Sequence, residues 1–130
     1  MSAPRPRAAL ALAAWTFFVW TTRINNIVGD DALDGGQKAA RVALALSFTA
    51  LVALVVVALV ARPSWRRPAV TALAVWTVAV WAVRAVAIGL GDHDAGFIAV
   101  HLALAVISVA LAGLAVRELR TPAPTSPHAA

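Results

Sequence analysis

Long unbroken apolar runs separated by short polar breaks make up nearly the whole chain. The runs Ala8 to Val28, Ala39 to Ala61, Ala69 to Leu90 and Phe97 to Val116 carry few charges. At ~1.5 Å of rise per residue each is long enough to cross a hydrocarbon core of about 30 Å. The pattern predicts an all-α, polytopic membrane protein of four transmembrane helices, about 8–28, 39–61, 69–90 and 97–116, in one domain of residues 1–130. The breaks have turn chemistry: a glycine-containing polar stretch from Gly29 to Lys38, the Arg62–Pro68 segment with a proline at each flank, and the acidic turn Gly91 to Gly96. Residues 121–130 read as a disordered tail. A cleaved signal peptide is the competing reading of the first run, but the run is longer than a usual signal core and ends in Arg23-Ile24-Asn25-Asn26 without a small-residue cleavage site.

Composition sharpens this picture. The hydrophobic share is 62% and the mean hydropathy +0.83, against roughly 45–50% apolar residues in soluble domains. Four spans of roughly 20 residues leave no room for a soluble catalytic domain. The chain has no cysteine, which removes disulfides, thiolate metal sites and a cysteine nucleophile. Its net charge of +5 comes from 11 basic residues scattered at the run ends, not from a basic domain face of the kind that binds nucleic acid. Rich use of Ala, Val and Arg, with Lys38 as the one lysine, has the look of a high-GC bacterial genome.

The charges also predict orientation. Arg5, Arg7, Arg62, Arg66, Arg67, Arg117 and Arg120 fall at one end of the spans, whereas Asp30, Asp31, Asp34, Asp92 and Asp94 fall at the other. The positive-inside rule then puts both termini in the cytoplasm of a multi-pass protein of the cell membrane, here a bacterial inner membrane.

An internal repeat is visible once the spans are overlaid. Trp15-Thr16-Phe17-Phe18-Val19-Trp20-Thr21-Thr22-Arg23 matches Trp76-Thr77-Val78-Ala79-Val80-Trp81-Ala82-Val83-Arg84 at five of nine positions, including both tryptophans and the arginine. Four of the five tryptophans in the chain fall in register. Further on, Asp34, Gly36 and Arg41 lie opposite Asp94, Gly96 and His101. A duplicated helical hairpin follows, and because each copy has an even number of spans it is a parallel repeat, with its pseudo-two-fold axis along the membrane normal.

At 100° per residue, Trp15, Thr16, Val19, Trp20, Arg23 and Asn26 fall within an arc of about 140°, as do the equivalent residues around Trp76, Trp81 and Arg84. The two arginines lie about six residues, or roughly 9 Å, inside their helix ends, where a cation is costly unless paired or snorkelled. Two readings are open. Arg23 and Arg84 pair with Asp30, Asp31, Asp34, Asp92 or Asp94 and lock each hairpin, with the tryptophans as packing. Alternatively Arg23, Arg84, Arg41, His101, Asn25 and Asn26 form a polar layer, walled by Trp15, Trp20, Trp76 and Trp81 and suited to an anionic or amphipathic ligand such as a lipid head group. His101 heads a stripe with Ala105, Ser108 and Ala112 that would let another helix approach closely. No cofactor motif is present, and a haem or metal centre lacks a second intramembrane histidine.

The stretch from Trp15 to Ile27, followed by Asp30-Asp31, resembles uncharacterised small four-helix integral membrane proteins of actinobacteria. That resemblance implies the four-helix fold and no activity, cofactor or catalytic residue. The first functional expectation is a non-enzymatic partner or envelope subunit that uses its Trp and small-residue faces to bind other helices, as a homo-oligomer or with another membrane protein. The second is a small oligomeric transporter, channel or anionic-lipid-binding protein that uses the Arg23/Arg84 layer. An enzyme is disfavoured because no Ser-His-Asp, HExxH or paired intramembrane carboxylate arrangement occurs.

Overall fold

A computed structural model describes residues 6–122. Helix α1 (Arg7–Val28), α2 (Gly35–Ala61), α3 (Arg66–Leu90) and α4 (Ala95–Arg120) run up and down, with a short 3₁₀ turn, Pro63–Trp65, between α2 and α3. Each helix packs on its neighbours in the chain, and α4 closes the bundle on α1. The tail expected from residue 121 lies outside the described residues from 123 onward, as does Arg5.

Helix starts are set by caps. α2 begins at Gly35 instead of Ala39, because Asp34 Oδ1 accepts from the Gln37 N–H at 2.8 Å while Gln37 Oε1 accepts from the Asp34 N–H at 3.1 Å. This reciprocal box satisfies two donors that would otherwise be orphaned, enough to draw two glycines into the first turn. α4 begins at Ala95 through a one-sided cap, with Asp94 Oδ1 accepting from the Phe97 N–H at 2.7 Å. α3 begins at Arg66 and takes Pro68 into its first turn, where a missing N–H costs nothing. α2 stops at Pro63, which holds Arg62 away from helical geometry (φ −134°, ψ 72°). Arg66 Nη2 then donates to the free Leu59 carbonyl at 2.9 Å.

Side-chain contacts cap both ends of α1. Glu118 on α4 accepts from the backbone N–H groups of Ala8 and Ala9 at 3.2 and 3.3 Å, so a carboxylate caps the positive end of α1. At the other end, Lys38 Nζ donates to the Val28 carbonyl at 3.3 Å, at the negative end of the same helix.

The bundle is apolar outside and made of small residues within. Ala9, Ala13, Ala45, Ala58, Ala69, Ala74, Ala105, Ala112 and Ala115 are buried around Leu12, Phe48, Val55, Val70 and Leu73, whereas Val60, Val83, Leu90 and Val106 are among many large side chains left exposed. Small residues let helix backbones approach closely, and an aliphatic exterior is a liability in water but a match for lipid. The segments Gly35–Ala61, Pro63–Leu90 and Ala95–Arg120 are each long and apolar enough to cross a membrane. α1 has 22 residues and similar length, but Thr21, Thr22, Arg23, Asn25 and Asn26 crowd its last two turns. The structure thus carries three candidate membrane-spanning helices and a fourth helix packed among them.

Candidate functional site: an arginine-lined cleft over a tryptophan cluster

The motif residues on α1 and α3 meet across the bundle. Trp20 and Trp81 are 3% and 4% exposed, and their ring centroids lie 6.3 Å apart with planes at 52°. Trp20 also stacks on the fully buried Phe48 of α2, at 4.1 Å and 8°. Phe48 in turn lies 6.1 Å from Trp76. One aromatic cluster therefore ties α1, α2 and α3 together in geometries that aromatic quadrupoles favour.

The outer pair of tryptophans reaches sideways. Trp15 Nε1 donates to Ser108 Oγ on α4 at 2.9 Å, and Trp76 Nε1 donates to Ser47 Oγ on α2 at 3.0 Å. Each indole thus finds its acceptor on the helix hairpin it does not belong to. An indole N–H in an apolar medium needs such a partner. The stripe of Ala105, Ser108 and Ala112 is buried within the chain, facing its own neighbours.

One turn beyond Trp20 and Trp81 come Arg23 and Arg84, both half-buried. The Arg84 guanidinium lies 5.9 Å from the Trp81 ring centre, within cation–π reach. Arg23, Arg84, Asn26 and His101 line a cavity of about 390 Å³ with Trp20 and Trp81 at its floor. A second cleft, of about 280 Å³, contains Arg23 and Arg84 again together with Arg41 and His93. Three cations therefore share one end of the bundle.

The aspartates at that end serve the backbone. Asp34 and Asp94 cap α2 and α4, and Asp30 Oδ1 accepts from the Ala32 N–H at 3.0 Å. Asp31 and Asp92 are exposed. Among the described residues no hydrogen bond or ion pair joins any of the five to Arg23, Arg41 or Arg84. Asn25 is exposed and lines neither cavity, because at 100° per residue it points roughly 160° away from Arg23.

His101 is half-buried at the cavity wall. Its Nδ1 lies 2.8 Å from the Phe97 carbonyl, which can only accept, so Nδ1 carries the proton and Nε2 is the nitrogen left for a ligand. Phe97 stacks between His93 and His101, at 4.4 and 3.9 Å. No group of three or more His, Asp or Glu converges closely enough to hold a metal ion among the described residues.

Phe48, Ser47, Phe97 and Glu118 are the structurally important residues that the apolar pattern did not single out. Phe97 had a signal, its four-residue spacing from both His93 and His101. Glu118 had none, since its partners are more than a hundred positions away in the chain. No protein-family model, no curated protein and no solved structure matches this chain.

Proposed function

We propose that this is a four-span inner-membrane protein without catalytic chemistry of its own, built from a duplicated hairpin, that binds an anionic group in the cleft formed by Arg23, Arg41 and Arg84. The observation that carries the reading is the gathering of three guanidiniums with no carboxylate partner among the described residues. Arg23 and Arg84 are half-buried and Arg41 is exposed beside them; half-buried cations without counter-charge are costly, and a bound oxyanion would remove that cost while using the bidentate geometry guanidinium offers. With both termini cytoplasmic, the cleft faces the outer side of the membrane.

The reciprocal Trp–Ser bonds and the meeting of Trp20 with Trp81 support the duplicated-hairpin part of the proposal, since residues at matching repeat positions make matching contacts. They also weigh against the expectation of a partner subunit that docks through its tryptophan faces. Trp20 and Trp81 are spent inside this chain.

The test is thermal unfolding of the detergent-solubilised protein in phosphate, pyrophosphate or chloride at matched ionic strength. Phosphate and pyrophosphate are expected to raise the midpoint, and Arg23→Gln/Arg84→Gln to abolish the rise. Equal midpoints in all three salts would remove the proposal.

A further inference from the structure

We infer that the anion held in the arginine cleft is the headgroup of a membrane lipid, which enters sideways between α1 and α4 and lays a chain along Phe18, Val100 and Leu104. This rests on the anion-binding reading above and names the source of the anion. Three features of the cavity carry it.

The cavity is amphipathic. Arg23, Arg84, Asn26 and His101 give it a polar part, and Phe18, Val19, Val100 and Leu104, beside Trp20, Trp81 and Phe97, give it an apolar part. A site for a free phosphate has no use for that apolar half, whereas an amphiphile needs both. Its volume of about 390 Å³ also falls in the range of sites for whole organic molecules.

The opening is on the lipid side. Phe18 is 62% and Val100 57% exposed, and both sit on helix surfaces of the kind that meet hydrocarbon. A ligand arriving from the bilayer passes between them without crossing water.

The polar end continues to the helix ends. The same Arg23 and Arg84 line the second cleft with Arg41 and His93, so a headgroup seated on the arginines can extend toward the aqueous loops. His101 Nε2, left as an acceptor by the Nδ1 bond to Phe97, adds a group that can accept from a glycerol hydroxyl.

The experiment reads tryptophan quenching by lipids with brominated acyl chains. Trp20 and Trp81 are buried, whereas Trp65 and Trp76 are exposed and are quenched by surrounding lipid of either kind, so the reading is the difference between the two brominated lipids. Protein is placed in phosphatidylcholine nanodiscs with a small fraction of brominated phosphatidylglycerol, or the same fraction of brominated phosphatidylcholine. The anionic lipid is expected to quench with about a tenfold lower half-saturating fraction, the preference set by basic side chains on one headgroup. Arg23→Gln/Arg84→Gln should remove that preference, and Arg67→Gln/Arg120→Gln, at the opposite end, should keep it. Val100→Phe should reduce quenching while leaving the stabilisation by pyrophosphate intact, which also shows that the variant folds.

Equal quenching by the two lipids, with arginine-dependent stabilisation by pyrophosphate retained, would overturn the lipid inference and leave a free-anion site. Loss of both responses in the unmodified protein would overturn the anion-binding reading as well. A preference for anionic lipid that survives Arg23→Gln/Arg84→Gln would put the lipid elsewhere on the protein and overturn the inference.

Discussion

Replacing Ser108 by alanine removes the acceptor of the Trp15 indole while leaving the helix backbone and the small-residue packing in place. Ser108 is 2% exposed and its Oγ lies 2.9 Å from Trp15 Nε1. No water reaches a buried group in the hydrocarbon, so the indole N–H keeps a desolvation penalty of about 1–3 kcal/mol once its partner is gone. Against this stands the finding that interhelical bonds in membranes average ~0.6 kcal/mol and reach ~1.7, because a chain unfolded in lipid also finds partners. For a bond of good length at a nearly closed site the upper part of that range applies, and we expect about 1–1.5 kcal/mol for Ser108→Ala. Trp15→Phe keeps most of the ring and deletes only the donor. The double variant should therefore recover part of the loss, with a coupling energy of about 1 kcal/mol. The equivalent cycle of Trp76→Phe with Ser47→Ala should give about half as much, because Trp76 is 38% exposed and can turn toward other partners. Unfolding by SDS in mixed micelles, followed by far-UV circular dichroism, measures all four states without using the tryptophan signal. A coupling energy below about 0.2 kcal/mol in both cycles would refute the view that these bonds tie the two hairpins together.

Other outcomes follow from the same contacts. Glu118→Ala should destabilise by about 1–2 kcal/mol, because two N–H groups and the positive end of α1 lose their carboxylate, while Glu118→Gln should cost less by keeping an acceptor; the same SDS titration checks both. Thr77→Val should be neutral or stabilising, since Thr77 is 2% exposed and its Oγ1 has no partner among the described residues. Arg84→Gln should leave the ligand-free protein as stable or more so, by removing one of three like charges, and Asp30→Asn/Asp31→Asn should change nothing beyond about 0.5 kcal/mol; a loss of more than 1 kcal/mol in either would restore the ion-pair reading. With no native cysteine, Ser64→Cys and Ala32→Cys can be labelled separately in intact cells, and only Ala32→Cys should react with an impermeant maleimide.

The helix bodies were legible because lipid-facing and lipid-spanning sequences are written in long apolar runs, and the facing of Arg23, Trp20 and Arg84 followed from 100° steps. What escaped was local polar chemistry. Gly35-Gly36 read as loop, yet the Asp34–Gln37 box overrides glycine's helix cost of about 1 kcal/mol per residue by satisfying two donors. Asp34 and Asp94 looked like counter-ions for the arginines, but a carboxylate three residues before a backbone N–H caps it at little conformational cost, whereas reaching a guanidinium on another helix must order two long side chains. Asn25 entered the polar layer by nearness in sequence, and its angle places it on the other side of α1. Which serine Trp15 and Trp76 each find depends on how the hairpins dock, and no single run of sequence encodes that.

The central claim, that the arginine cleft holds an anionic ligand, is tested most directly by native mass spectrometry of the protein released from its membrane in mild detergent. The unmodified chain should retain an adduct with the mass of an anionic phospholipid, and Arg23→Gln/Arg84→Gln should lose it while keeping the same oligomeric state. An unmodified chain that flies bare, or an adduct that persists unchanged in the double variant, would contradict the claim.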